Sequence, residues 1–302
     1  MTDWGFTMMR RALKSLMVGL AVGVLGSAAA AHAEDRFVVE RSGDSSARTV
    51  FFVPGLGSSG ATWDSAVAAL GDSADIHVFT LAGFAGVPPV EGDGSFIGNA
   101  AAAIADYIAS GGHEDIAVIG HSLGGQVALQ VAARAPEAVS AVMVVDSVPF
   151  YARLFNPAVT AEQAAMMASA FTAQMRSLPR ENYLAAMQQG MPVQSLDTGF
   201  HSVLMAWMAA SDQETVAIAF GEVSGRDFSP VLEDVAAPVL VLAPWAPGAP
   251  VDADAVQTLY AGQYAPLANG RVEIIEGARH FLMIDQADAF NARLIRFLQD
   301  NQ

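Results

Sequence analysis

Apolar residues follow two rhythms along this chain. Short, mostly apolar runs at residues 49–53, 76–81, 116–119, 139–145, 239–242 and 272–275 predict buried β-strands, the first of them stopped by Pro54-Gly55. Between them lie segments in which apolar residues recur every three or four positions. Residues 61–70 place Trp63, Val67 and Leu70 on one helical face, with Gly71 as a stop, and the alanine-rich stretch 96–108 ends at Gly111-Gly112. Residues 123–134 form a third helical segment, and 287–299 turn Phe290, Leu294, Phe297 and Leu298 inward. Apolar strands alternating with helices predict an α/β protein, with a mostly parallel central sheet covered by helices on both faces.

Residues 150–232 break that alternation. Their spacing is helical, prolines sit near both borders (Pro149 and Pro157, then Pro230 and Pro238), and they hold seven of the thirteen methionines: Met166, Met167, Met175, Met187, Met191, Met205 and Met208. The pattern predicts a helical lid inserted over the C-terminal edge of the sheet, dividing the core into residues 34–149 and 233–302. Methionine is flexible and polarizable, so the cluster predicts an adaptable apolar pocket wall. For any single methionine, packing within a small helical subdomain is the simpler reading.

Residues 1–33 stand apart. Arg10, Arg11 and Lys14 form a basic cluster, residues 16–31 carry no charge, and Ala31-His32-Ala33 offers a small-x-small cleavage pattern ahead of Glu34-Asp35-Arg36. The run falls short of the roughly 20 apolar residues that span a bilayer, and Gly19, Gly23 and Gly26 interrupt it. A signal peptide cleaved after Ala33 is expected, giving a periplasmic or secreted protein with no stable membrane insertion; an uncleaved anchor is the alternative. Met8 or Met9 could equally be the start, and Arg10-Arg11 leaves open whether export is twin-arginine or general.

Composition narrows the chemistry. With no cysteine among 302 residues, disulfide scaffolds, thiolate metal sites and cysteine nucleophiles are excluded. A formal charge of -16 repels nucleic acid and anionic membrane surfaces. Lys14 is the only lysine, so a mature domain lacks both Schiff-base chemistry and a P-loop lysine. Removing residues 1–33 takes away three positive charges and one negative, which leaves the mature chain at about -18.

The candidate chemistry sits at Gly120-His121-Ser122-Leu123-Gly124-Gly125, where the strand at 116–119 runs directly into the helix at 123–134. A serine on such a bend projects from the sheet's edge, and small residues flank it because the bend packs tightly. The N-terminus of the following helix favours developing negative charge there. A bare G-x-S-x-G is a common accident in a chain with 27 glycines; the strand before it and the helix after it make the signal specific. The bland alternative is a glycine-rich turn with a capping serine.

With these residues the chain resembles the α/β-hydrolase superfamily, in its lidded serine-hydrolase branch, over nearly all of residues 49–298 and least in the lid. Besides the elbow, the resemblance rests on Val53-Pro54-Gly55-Leu56-Gly57 with Trp63 downstream, which is similar to the family's oxyanion loop. It rests also on Gly83-Phe84-Ala85-Gly86 and on Ala278-Arg279-His280-Phe281-Leu282, the latter similar to the loop carrying the family's catalytic histidine. It implies the order Ser122, an acid, then His280. The chain departs from the pattern at Pro54, where a histidine that supports the loop often stands.

A serine hydroxyl needs a base to take its proton as it attacks, and histidine does this near neutral pH. Beyond residue 33, His77 lies in a strand, His113 in a polar turn, His121 in the elbow and His201 in the lid. His280 alone follows the last strand, in a short loop opened by Gly277. At the commoner family position for the acid, after 239–242, the chain reads Ala243-Pro244-Trp245-Ala246-Pro247-Gly248-Ala249-Pro250, with no carboxylate. Asp252 and Asp254 follow, placed like helix-start caps. The family's other position is the end of the strand after the elbow helix, where Asp146 closes 139–145. An aspartate closing a buried strand needs a partner, which the His280 imidazolium would supply. Asp146 is therefore favoured over Asp252 or Asp254, with loop capping as its alternative role. Backbone N–H groups of Leu56 and Leu123 are the implied oxyanion donors.

Ser122 argues against the superfamily's dehalogenases and epoxide hydrolases, which place an aspartate at that position. No H-E-x-x-H or EF-hand pattern occurs, His113-Glu114-Asp115 reads as a solvated turn, and Gly55-x-Gly57 lacks the third glycine of a dinucleotide fingerprint, so no cofactor and no metal are expected. The expectation is a carboxylesterase-like serine hydrolase (EC 3.1.1 class) acting on an ester of an apolar acyl or aromatic small molecule. Lactone, thioester or amide hydrolysis stays open, as does a slow or non-catalytic ligand-binding homologue; oligomeric state is not readable.

Overall fold

The structure, a computed structural model, describes residues 36–91 and 94–301. The expected signal segment, residues 1–33, lies outside the described residues. Seven strands are present: β1 (Phe37–Gly43), β2 (Thr49–Val53), β3 (Asp75–Leu81), β4 (Ile116–His121), β5 (Val139–Val145), β6 (Val239–Trp245) and β7 (Gly270–Glu276). They form one sheet in the order β1-β3-β2-β4-β5-β6-β7, in which β1 runs antiparallel to β3 and every other pair is parallel.

Parallel neighbours need crossover connections, and helices supply them. α1 (Asp64–Leu70) lies between β2 and β3, α2 (Phe96–Gly111) between β3 and β4, and α3 (Leu123–Arg134) between β4 and β5. Between β5 and β6 the chain inserts α4 (Ala161–Ser177), α5 (Arg180–Gln194), α6 (Thr198–Ala210) and α7 (Gln213–Gly225). α8 (Ala253–Tyr264) then leads to β7, and α9 (Leu282–Asp285) and α10 (Ala287–Asp300) end the described chain.

Strand pleating divides the core in two. Phe51, Val118 and Val144 point to the side covered by α2 and α3, whereas Phe52, Ile119 and Val145, one residue further along each strand, point to the side covered by α1 and α10. Each of these fully buried side chains contributes about 1.5–3 kcal/mol relative to exposure. α3 is buried from Leu123 to Ala132, which fixes the helix that follows the elbow between the sheet and its neighbours.

The structure adds a strand that the apolar pattern does not announce. β1 is an edge strand with only Phe37 buried; its apolar residues stop at Val39, and Glu40 to Gly43 are exposed, so its apolar run is short. Its existence depends on the pairing it makes with β3 in the register Phe37↔Leu81 to Gly43↔Asp75. Likewise β6 continues past its apolar stretch to Trp245, because pairing with β7 persists to Trp245↔Glu276.

Candidate active site

Ser122 stands at the junction of β4 and α3 with φ 53° and ψ -120°, a backbone conformation that residues with a side chain rarely adopt and that costs on the order of 1–3 kcal/mol. The surroundings hold it there. Ser122 N–H donates to the Val145 carbonyl at 2.9 Å, and the Ser122 carbonyl accepts from Gly125 N–H at 2.9 Å. A Cβ on Gly120 would stand 2.1 Å from the Gly124 oxygen, and one on Gly124 would stand 2.3 Å from the Val53 oxygen. The two glycines are thus required by the close approach of backbone to backbone.

At the end of the neighbouring strand β5, Asp146 also has a positive φ, 43°. Its N–H donates to Leu242 O at 2.8 Å, so β6 fixes where the chain turns. Asp146 Oδ2 lies 2.6 Å from His280 Nδ1. The other carboxylate oxygen, Oδ1, accepts a short hydrogen bond from the Tyr260 hydroxyl of α8. The next residues are tied down as well: Tyr264 donates to Ser147 O at 2.9 Å, and the Gln126 amide of α3 donates to Val148 O. Burial, and then the Asp146 carboxylate, push the Tyr260 hydroxyl well above its ordinary pKa, so it remains a donor.

His280 sits on a loop braced from three directions. Ala278 N–H donates to Trp245 O at 3.2 Å, Arg279 N–H to Asp285 Oδ2 at 2.8 Å, and Phe281 N–H to Gln194 O of α5 at 2.8 Å. The elbow contributes the fourth contact, with His121 Nε2 3.0 Å from the His280 carbonyl. A carbonyl only accepts, so the proton of His121 is on Nε2 and Nδ1 is a bare acceptor, buried with no partner among the described residues. Burial, reinforced by the nearby His280 ring, keeps His121 neutral by lowering its pKa well below the ordinary value. His121 is therefore a strut between elbow and histidine loop.

Ser122, Asp146, His280, Leu56 and Leu123 all line one cavity of about 450 Å³. Leu123 opens α3, where helix geometry leaves N–H groups unused, and Leu56 lies in a turn closed by Ser58 N–H on Gly55 O at 3.2 Å. Neither N–H donates to a protein acceptor among the described residues. The inserted helices supply much of the apolar wall, including Met175, Met187, Met191, Met208, Phe171 and Phe220. Of the remaining methionines in the insertion, Met166 and Met167 are exposed and Met205 packs against the second core. Asp146 is the only carboxylate lining the cavity, and no lysine or arginine lines it, among the described residues.

Asp252 and Asp254 stand elsewhere. Asp252 caps α8, accepting from Ala255 N–H at 2.8 Å, and Asp254 lies in that helix's first turn. Sequence reasoning missed Tyr260 and Gln126. The available signal was the pair Tyr260 and Tyr264, four apart on the helix that follows β6, which puts two hydroxyls on one helical face.

The match to known proteins now has a geometry to refer to. Residues 50–293 match the model of the alpha/beta hydrolase family. The chain belongs to that family. A putative carbamate hydrolase RutD of Yersinia enterocolitica is 30% identical over 113 residues, which cover 37% of this chain and 41% of that protein. The chain thus matches about two fifths of that relative's length. Among solved structures, the enol-lactonase of Burkholderia xenovorans LB400 superposes with a TM-score of 0.69 at 17% identity, over 87% of this α/β hydrolase and 96% of that chain. A thermophilic esterase of Thermogutta terrifontis gives 0.70 at 18% identity, over 87% and 93%. A bromoperoxidase of Bacillus anthracis gives 0.72 at 16%, over 87% and 95%. At these identities the superpositions establish the fold alone.

Proposed function

We propose that this α/β hydrolase is a serine esterase acting on a neutral carboxylic ester with an apolar acyl or aromatic group. The observation that carries the reading is the 2.6 Å contact between Asp146 and His280 Nδ1, on the wall of the cavity that Ser122 also lines. With Nδ1–H given to Asp146, the other ring nitrogen, Nε2, is the basic one. His280 takes the Ser122 hydroxyl proton as the oxygen attacks the carbonyl carbon, and returns it to the departing alkoxide. The Leu56 and Leu123 N–H groups receive the oxyanion. Water, deprotonated by the same imidazole, then releases the acid from the acyl-enzyme.

Substrate class follows from the wall. Its volume of about 450 Å³ suits a small molecule, and its methionine and phenylalanine side chains offer apolar contact. An anionic substrate would meet the Asp146 carboxylate without a compensating cation, and the chain's charge of -16 repels anions at long range. The inserted helices act as the lid over this cavity. Residues 1–33 act as a signal peptide, which makes the mature enzyme periplasmic or secreted; the mass of the exported form, starting at Glu34, tests this.

The activity is tested with p-nitrophenyl esters of rising chain length, and with lactones, on wild type and Ser122→Ala. Hydrolysis with a burst of p-nitrophenol, lost in Ser122→Ala, is expected. Saturable ligand binding without turnover on any substrate would instead make the chain a binding protein built on a hydrolase fold.

A further inference from the structure

A second cluster of titratable side chains lies at the end of the sheet opposite Ser122. Asp75 and His77 are alternate residues of β3, so their side chains leave the same face. His113 meets them from the turn after α2, where Gly112 has a left-handed φ of 63° and His113 N–H donates to Ile108 O at 3.2 Å. Asp75 Oδ2 and His77 Nε2 are 3.1 Å apart, and the His77 and His113 rings meet edge to face at 4.9 Å. One donor atom from each of the three residues lies within 4.8 Å of the other two. His77 is 0% exposed and Asp75 5%.

We propose that Asp75, His77 and His113 form a binding site for a first-row divalent cation of the Zn²⁺ type, with water as the fourth ligand. Zn–N and Zn–O bonds of about 2.0–2.2 Å at tetrahedral angles set neighbouring donor atoms about 3.3 Å apart. The Asp75–His77 separation of 3.1 Å already fits, and His113, on a partly exposed turn, closes the remaining gap by side-chain rotation. His77 also has the outer partner that orients a metal-bound imidazole, since its Nδ1 lies 2.9 Å from the Tyr107 hydroxyl. That hydroxyl can donate or accept, so when the cation takes Nε2 the ring proton moves to Nδ1 and the Tyr107 bond survives with its direction reversed.

The chemistry of the donor set favours the same outcome. Two imidazoles and a carboxylate suit zinc, cobalt or nickel rather than magnesium or calcium. The competitor is Arg41, whose guanidinium lies 3.5 Å from Asp75 Oδ2 on a half-exposed side chain that can withdraw into water.

The test uses the full chain, stripped with a chelator and dialysed against Zn²⁺ alone, with Co²⁺ as a spectroscopic probe of tetrahedral geometry. One equivalent of zinc per chain is expected, with a melting temperature raised by several degrees at about 100 times the Kd. His113→Ala, a change at a partly exposed turn, should weaken binding by about 100-fold or more. Arg41→Ala should tighten it several-fold by removing a like charge. Hydrolysis by the metal-free protein should be unchanged in both variants. Absence of stoichiometric zinc uptake by the wild type overturns the proposal, as does uptake that is the same in His113→Ala and His77→Gln.

Discussion

Two aspartate–histidine pairs stand at opposite ends of the same mostly parallel sheet, and their surroundings differ in what they leave the imidazole free to do. Asp146 and His280 meet at 2.6 Å beyond the C-terminal ends of β5 and β7; Asp75 and His77 meet at 3.1 Å near the start of β3. In both, a tyrosine on a neighbouring helix adds a hydrogen bond. The position of the tyrosine separates them. Tyr260 bonds the acid of the first pair and leaves the imidazole's second nitrogen uncommitted, whereas Tyr107 bonds the imidazole of the second pair and occupies it. The first pair also has a cavity and a strained serine beside it. The second has aromatic side chains, Phe51 and Tyr107, packed against its imidazole. An aspartate beside a histidine does not by itself make a base, which needs a free ring nitrogen and a nucleophile within one cavity.

The largest effect that this contrast predicts is at the serine. Ser122→Ala should lower kcat by about 10⁴-fold or more while the melting temperature stays close to wild type, measured by ester turnover and calorimetry. Retained turnover would remove Ser122 from the chemistry. Asp146→Asn should cost about 10⁴-fold in kcat through the wrong imidazole tautomer. Asp75→Asn, the matching change in the other pair, should leave kcat within about twofold while lowering stability by about 1–3 kcal/mol, because a buried bond is weakened. Equal kinetic losses in the two variants would abolish the distinction between the pairs.

How much of this was legible in the sequence depended on whether a feature is local. Six strands and the elbow were readable because buried parallel strands are apolar throughout and the elbow's glycines are dictated by its own backbone. β1 was not readable, because Arg41 and Glu40 reveal a strand only through pairing with β3. Nor was the brace around the acid: Tyr260 is 114 residues from Asp146, and Gln126 is 22 from Val148. The His77–His113 contact was hidden for the same reason. Read locally, one residue is a strand histidine and the other belongs to a polar turn; only the end of α2 brings them together.

Tyr260→Phe should sharpen the comparison at an intermediate scale. Its hydroxyl holds one carboxylate oxygen of Asp146 while the other meets His280, so its loss frees the carboxylate to turn away from the imidazole. A loss of about tenfold in kcat should follow, as part of a charged hydrogen bond of about 1.5–3 kcal/mol. A purely structural tyrosine would lower the melting temperature without changing kcat.

The pH dependence of folding comes next. Burial lowers the pKa of His77 and His121, so both are held neutral in the fold. Below the unfolded value of about 6.5, the unfolded chain takes up protons that the folded chain refuses, and stability falls as pH drops towards the lowered folded values. Each histidine contributes a slope of up to about 1.4 kcal/mol per pH unit. Urea midpoints for metal-free wild type and His77→Gln should converge as the solution is acidified. Parallel curves would mean that His77 is protonated inside the fold.

The smallest effect tests which carboxylate belongs to the site. Asp252 accepts from Ala255 N–H at 2.8 Å as the cap of α8, the helix that carries Tyr260. Asp252→Ala leaves that helix start uncapped, which costs about 1 kcal/mol of stability. It touches neither His280 nor Asp146, so ester turnover at saturation should stay within about twofold of wild type, the ordinary result of a substitution away from the chemistry. Turnover collapsing in Asp252→Ala while surviving in Asp146→Asn would transfer the role of the acid to the helix cap and leave the 2.6 Å Asp146–His280 contact as a structural brace.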